Sequence, residues 1–212
     1  MIRILAVVCA LFCTGFALAQ PLPAGVDPQN AILIDTKHGR IVIKLRNDLA
    51  PKHAERIKQL ARDKFYDNVP FHRVIDGFMA QTGDGGNGDG TGGSKYPNLP
   101  AEFSDVPFKR GIVGMARRGG DNNSANSQFF IMYRETPSLN GQYTVIGEVV
   151  SGMGVVDKIK KGEPVSDPDR MLRVQVAADE AAALQSRIGR RDRRASAGRP
   201  FRRQPNIAGR GQ

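Results

Sequence analysis

The sequence contains no tryptophan, and its only two cysteines, Cys9 and Cys13, both fall within the first nineteen residues. That opening segment, MIRILAVVCALFCTGFALA, carries Arg3, an apolar run from Ile4 to Leu18, and Ala17-Leu18-Ala19 before Gln20. This is the pattern of a secretory signal peptide cut after Ala19. The run is shorter than the roughly 18 to 20 apolar residues that span a bilayer comfortably, so the mature chain is expected to be exported with no transmembrane segment. The periplasm is the expected destination, with full secretion as the alternative. Val8 and Phe12, not small residues, precede the two cysteines, which argues against a lipid-modified cysteine. A mature chain beginning at Gln20 would hold no cysteine at all, which excludes disulfides, thiol nucleophiles and thiolate metal sites.

Other absences narrow the chemistry further. The three histidines, His38, His53 and His72, show no metal-ligand spacing. No Gly-x-Ser-x-Gly elbow is present for a hydrolase nucleophile. The glycine-rich run GDGGNGDGTGG, residues 83–93, lacks the Gly-Lys-Ser/Thr close of a phosphate loop, because Thr91 follows Gly90. It also lacks calcium repeats and the alternate aspartates of an EF-hand loop. It reads as a surface loop whose glycines permit positive φ and close backbone approach. No metal and no cofactor is expected.

What is present suggests one β-rich domain. Twenty-four glycines and thirteen prolines in 212 residues, without a repeat, fit short elements joined by many turns. After a Pro-rich leader, residues 20–30, AILIDT and RIVIKL alternate around Lys37-His38-Gly39 as a hairpin. Pro51 opens an amphipathic helix, PKHAERIKQLARDKF, with Ala54, Ile57, Leu60 and Ala61 on one face. Strands are expected in FHRVI, FMAQT, GIVGMA, SQFFIMY, YTVIGEVV and MLRVQVAAD. GMGVVDKIKKG reads as a second helix, with Lys158, Lys160 and Lys161 in its last turn and Gly162 as its stop. Many strands with two helices suggest a closed antiparallel barrel capped at its ends, or a sandwich.

The expected domain spans residues 31–180, followed by a basic, disordered tail, 181–212. Beyond Gln185 nine arginines face Asp192 alone, so most of the formal +10 charge belongs to the tail. DEAAALQSRIGRRDRR has the composition to prolong a helix out of the domain, whereas Gly, Pro, Arg and Gln dominate from Ala195 onward. Such a tail reads first as a solvated segment with no partner, with contact with an anionic surface as the alternative.

Two segments carry polar residues among apolar ones. In FHRVIDGFMAQTGD, residues 71–84, period-two alternation puts Phe71, Arg73 and Ile75 on one face, and Met79 with Gln81 on one face after the Asp76-Gly77 bend. In NSQFFIMY, Gln128 and Phe130 share one face, and Phe129 and Ile131 the other. One pair would build core while the other lines a surface groove.

Together with GTGG, GIVGMAR and LNGQYTVIGEVV, these segments resemble the cyclophilins, the peptidyl-prolyl isomerase family, in order and spacing from about Ala31 to Asp179. The resemblance implies a closed eight-stranded antiparallel β-barrel with a helix over each end. It implies catalysis at Xaa-Pro bonds, assisting the folding of exported proteins, with proline-containing unfolded polypeptides as partners and the enzyme a monomer. Arg73 falls at the family's catalytic arginine. Phe78, Met79, Phe130 and Leu139 fall at its proline pocket, and Gln81 and Gln128 at its peptide-binding glutamines. Ala116, Arg117 and Tyr143 fall at further peptide contacts, Arg117 through its backbone. Asp76 and Thr82 depart from the family's usual proline and glycine. Ser138 stands where tight cyclosporin binders carry tryptophan, which implies weak binding of that drug. A barrel that holds proline segments without catalysis is the rival reading.

Overall fold

The computed structural model describes residues 21–197, with side chains placed through Ser186 and at Arg190. The expected signal peptide and residues 198–212 of the tail lie outside the described residues. In chain order the strands are β1 (Ala31–Thr36), β2 (Gly39–Leu45), β3 (Val69–Pro70), β4 (Arg73–Ile75), β5 (Met79–Thr82), β6 (Ile112–Met115), β7 (Phe129–Met132), β8 (Val145–Ser151), β9 (Arg170–Met171) and β10 (Arg173–Val176). The helices are α1 (Pro51–Arg62), α2 (Met153–Val156) and α3 (Ala177–Ala197). Among the described residues no helix is long and apolar enough to cross a membrane.

Eight strands form one curled antiparallel sheet in the order β10-β1-β2-β8-β6-β7-β5-β4, and β3 pairs with β9 as a separate two-stranded ribbon. The eight-stranded antiparallel sheet is as expected; its closure is not, because no ladder joins the edges β4 and β10. The reason lies in the backbone of β4. Val74 donates its N–H to the Gly162 carbonyl and accepts from the Gly162 N–H, both at 2.8 Å, so the strand's outer edge is already occupied. The ribbon of β3 and β9 lies immediately before β4 and β10 in the chain. It ties the two edges together through Asn68 N–H to Met171 O (2.7 Å) and Phe71 N–H to Asp169 O (2.8 Å).

The inner face is packed with Ile32, Ile34, Ile41, Ile43, Ile131 and Ile146, all at most 3% exposed. Alternation on β-branched residues produces this face, and α1 closes over it with Ala54, Ile57, Leu60 and Ala61. Pro51 opens α1, and the Lys52 and His53 amides that follow have no helical partners, as at the start of any helix. Glu102 accepts both, at 3.2 and 3.1 Å, and also bonds His53 Nδ1 at 2.7 Å, so a distant carboxylate caps the helix.

Two helical expectations need correction. The second helix is only Met153–Val156, because its continuation is recruited elsewhere. Lys158 and Ile159 already bond three residues back, Asp169 takes the Lys160 amide at 2.9 Å, and Gly162 is held by β4. The tail expected to be disordered from residue 181 is helical as far as Ala197, which extends the helix that the composition of DEAAALQSRIGRRDRR allowed. Its first turn supplies the anchor. Asp179 accepts from Arg62 at 3.0 Å, and Glu180 pairs with Arg40 and accepts from Gln175 at 2.7 Å.

Candidate active site

Strand register assembles the site. Arg73 on β4 lies opposite Gln81 on β5, Gln81 opposite Phe130 on β7, and Phe130 opposite Gly114 on β6. Residues directly opposite in antiparallel strands hold their Cβ atoms about 4.5–5.5 Å apart, so these positions form one row across the outer face. Alternation places Ala80, Phe129 and Ile131 in the inner core, and Met79, Phe130 and Met132 in a second apolar cluster beneath the groove. The faces of β5 and β7 are therefore as the sequence predicts. Phe71 is a correction. Strand β4 begins only at Arg73, the alternation does not extend back through His72, and Phe71 is fully buried in the inner core with Val74, away from Arg73.

Arg73, Phe78, Met79, Gln81, Ala116, Arg117, Phe130, Leu139 and Tyr143 line one cavity of about 140 Å³. Its floor is rigid. The Phe130 and Phe108 rings stack at 5.8 Å, and the Tyr143 ring meets Phe130 edge-on at 5.6 Å. Gly114 makes this floor possible, since a Cβ there would lie 2.6 Å from both the Phe108 and Phe130 rings. The Arg117 guanidinium stacks 4.6 Å over Tyr143 and donates to the Gln142 and Arg118 carbonyls, each at 3.1 Å. No backbone hydrogen bond among the described residues uses the Arg117 main chain.

Gln128 lies in an adjoining, more polar cavity of about 610 Å³ that also touches Gln81, Ala116 and Arg117. The two glutamines are chained to the arginine. The Gln128 Nε2 group donates to the Gly90 and Gly92 carbonyls at 2.9 and 2.8 Å, which turns its Oε1 toward Gln81 Nε2 at 2.9 Å. Gln81 Oε1 then faces Arg73 Nη1 at 3.5 Å. Each amide's direction thus follows from the one before it, beginning at the glycine-rich loop.

Asp84 fixes that loop. Its buried carboxylate accepts four backbone N–H groups, Gly86 and Asn87 on Oδ1 and Gly90 and Gly92 on Oδ2, between 2.8 and 3.1 Å. Burial pushes its pKa up, but the amides of Gly92, Gly90, Gly88 and Gly86 prevail and hold the carboxyl below the usual range. The run between residues 83 and 93 is a surface loop as expected, and its reason for being glycine-rich is local. At Gly92 a Cβ would sit 2.2 Å from Asp84 Oδ1.

Sequence reasoning missed two residues here. An aspartate heading a glycine run is a recognisable turn signal, so Asp84 could have been found. Glu163, which accepts from Arg73 Nε at 2.5 Å, lies ninety residues from its partner in a loop with no pattern of its own.

Comparison with known proteins identifies the family. Residues 31–178 match the family model "Cyclophilin type peptidyl-prolyl cis-trans isomerase/CLD". The "Probable peptidyl-prolyl cis-trans isomerase" of Brucella suis biovar 1 (strain 1330) is 54% identical over 171 residues, 74% of this chain and 87% of the relative. The "Peptidyl-prolyl cis-trans isomerase" of Synechococcus elongatus is 36% identical over 151 residues, covering 70% of this chain and 97% of the relative. Among solved structures, cyclophilin AquaCyp293 from Hirschia baltica superposes with a TM-score of 0.67 at 27% identity, over 73% of this chain and 76% of the other. A Cryptosporidium parvum cyclophilin-type isomerase, solved in the presence of the dipeptide Ala-Pro, gives 0.63 at 28% identity, over 69% and 98%. The chain belongs to the cyclophilin family and is a peptidyl-prolyl cis-trans isomerase.

Proposed function

We propose that Arg73 catalyses rotation about Xaa-Pro bonds by donating a hydrogen bond to the imide nitrogen as it twists out of conjugation. The barrier to rotation, about 18 to 20 kcal/mol, arises from C–N double-bond character. The cis and trans ground states before proline differ by only about 0.5 to 1 kcal/mol, so the rate alone needs help. A twisted imide loses resonance and its nitrogen becomes an acceptor. A donor aimed there binds the transition state better than either planar state, which is the requirement for catalysis. A guanidinium suits the task because it stays charged and presents a fixed fork of donors. No covalent intermediate is needed.

The observation that supports this reading is the cross-strand row that brings Arg73 into the lining of one cavity with Phe78, Met79, Phe130 and Leu139. Phe78, Met79, Phe130 and Leu139 would grip the proline ring and exclude water. Gln81, Gln128 and the backbone at Arg117 would hold the flanking chain, with Ala116 and Tyr143 as walls. The test is the isomerisation rate of a short proline peptide with residues 20–212 beside the Arg73→Ala variant.

Weak cyclosporin binding forms part of this reading. Ser138 is exposed on the turn that carries Leu139 into the pocket, where an aromatic ring with an N–H donor would add contact. Ser138→Trp is expected to tighten cyclosporin inhibition about tenfold. Nanomolar inhibition of the unmodified chain would sink the idea.

The expected substrates are exported polypeptides met in the periplasm, after removal of residues 1–19. The Arg-rich end would add affinity for an anionic envelope surface. Deleting residues 186–212 is expected to leave the peptide isomerisation rate unchanged and to abolish co-sedimentation with anionic vesicles. Equal sedimentation of both forms would remove the tail from the account.

A further inference from the structure

We infer that Glu163 is a positioning residue for Arg73, an inference that rests on Arg73 being the catalytic donor. A guanidinium on a long, rotamer-rich stem has many orientations open to it, so something must hold it if it is to act as a preorganised donor. The Arg73 side chain is 37% exposed, and its contact on the pocket side is the Gln81 Oε1 atom at 3.5 Å, the outer limit of a hydrogen bond. The firm contact is on the other edge, where Nε donates to Glu163 Oε1 at 2.5 Å. Glu163 and Gln81 thus hold the fork from two sides. No hydrogen bond of Arg73 Nη2 is present among the described residues.

The fold delivers Glu163 to this place by backbone bonds. Gly162 and Val74 exchange both of their backbone hydrogen bonds at 2.8 Å, and the Val165 N–H donates to the His72 carbonyl at 3.0 Å. The bonds fall on either side of Arg73 in one segment and of Glu163 in the other, so the two side chains are brought face to face. The close approach depends on Gly162, where a Cβ would lie 2.8 Å from Val165 Cα and 2.9 Å from the Pro164 carbonyl oxygen. Glu163 itself is 53% exposed, and among the described residues Arg73 is its one side-chain hydrogen-bond partner. An exposed pair of this kind contributes little to stability. Its effect falls on the direction of the guanidinium.

The test uses the chain from residue 20 to 212 and three substitutions. An exposed pair is worth up to about 1 kcal/mol, roughly a fivefold effect, so Glu163→Ala is expected to slow catalysed interconversion about three- to fivefold by exchange NMR. The dissociation constant for a proline peptide should stay within a factor of about two, because the residue does not touch substrate. Glu163→Gln keeps an oxygen that accepts from Nε and should retain more than half of the parental rate. In an Arg73→Ala background, Glu163→Ala should change nothing further, since a residue acting through another shows no independent effect. Full activity of Glu163→Ala alongside a crippled Arg73→Ala would overturn the inference while leaving Arg73 in its role. So would a loss confined to peptide affinity, a Gln variant as slow as Ala, or an effect that persists without Arg73. An Arg73→Ala variant with parental activity would overturn the underlying reading and this inference together.

Discussion

Replacing Arg73 with alanine is expected to lower kcat/KM for a short Xaa-Pro peptide about 10²- to 10³-fold, the range found when one preorganised donor is removed from a transition state. Unfolding stability should change by no more than about 1 kcal/mol, because the side chain is more than a third exposed and its ion pair with Glu163 is open to solvent. The separation of the two readouts is the informative part. A core residue would lose both together, whereas a donor poised beside the reacting bond loses only rate. Arg73→Lys keeps the charge but not the planar fork, and should recover less than a tenth of the parental rate if direction matters as much as charge. A peptide-cleavage-coupled assay with a matched denaturant titration measures both quantities. Parental rates in the alanine variant would take Arg73 out of the catalytic role and leave the rate to the rest of the cavity.

Asp84→Ala should give the largest stability effect, a loss of about 3 kcal/mol. Hydrogen bonds to a charged group contribute about 1.5 to 3 kcal/mol each, and this buried carboxylate accepts four, though such terms do not add. Activity should fall as well, about tenfold, because the carbonyls of Gly90 and Gly92 that orient Gln128 belong to the same loop. The pH dependence has a definite sign. The folded-state pKa of Asp84 is depressed below its unfolded value of about 3.9, so the stabilisation is complete above that value and fades as pH falls through the folded pKa. The gap in stability between parent and variant should therefore be constant near neutrality and narrow below about pH 4. A gap that stayed constant into strong acid would mean that the carboxylate's charge is not what organises the loop.

Where the chain repeats with period two, its sequence is a good guide. The hairpin of β1 and β2, the outward Met79 and Gln81 and the split between Phe129 and Phe130 all follow from side-chain alternation within single strands. The candidate site was legible for the same reason, because its residues sit on such strands or beside motifs with a family resemblance. What was not legible depends on partners far apart in sequence. Helix α2 stops at Val156 because Asp169 and Val74 claim the backbone that follows, and nothing in DKIKKG announces either. Phe71 turns inward because β4 starts two residues later than the alternation suggests. Glu163 reaches Arg73 only through pairing between Gly162 and Val74, a contact without local signature.

The same pairing has a consequence for how the enzyme meets an extended proline-containing chain. A bare strand edge is a template on which any extended polypeptide can add as another strand, and such additions are held by many main-chain bonds at once. Beside the arginine proposed as the catalytic donor that would oppose turnover, since a chain zipped onto β4 would neither rotate freely nor leave. Because Gly162 already occupies both groups of Val74, an arriving chain finds pockets for a ring and a few flanking atoms rather than a ladder to extend. The edge that would have made the protein an aggregation partner of its own substrates is sealed by a segment of its own chain.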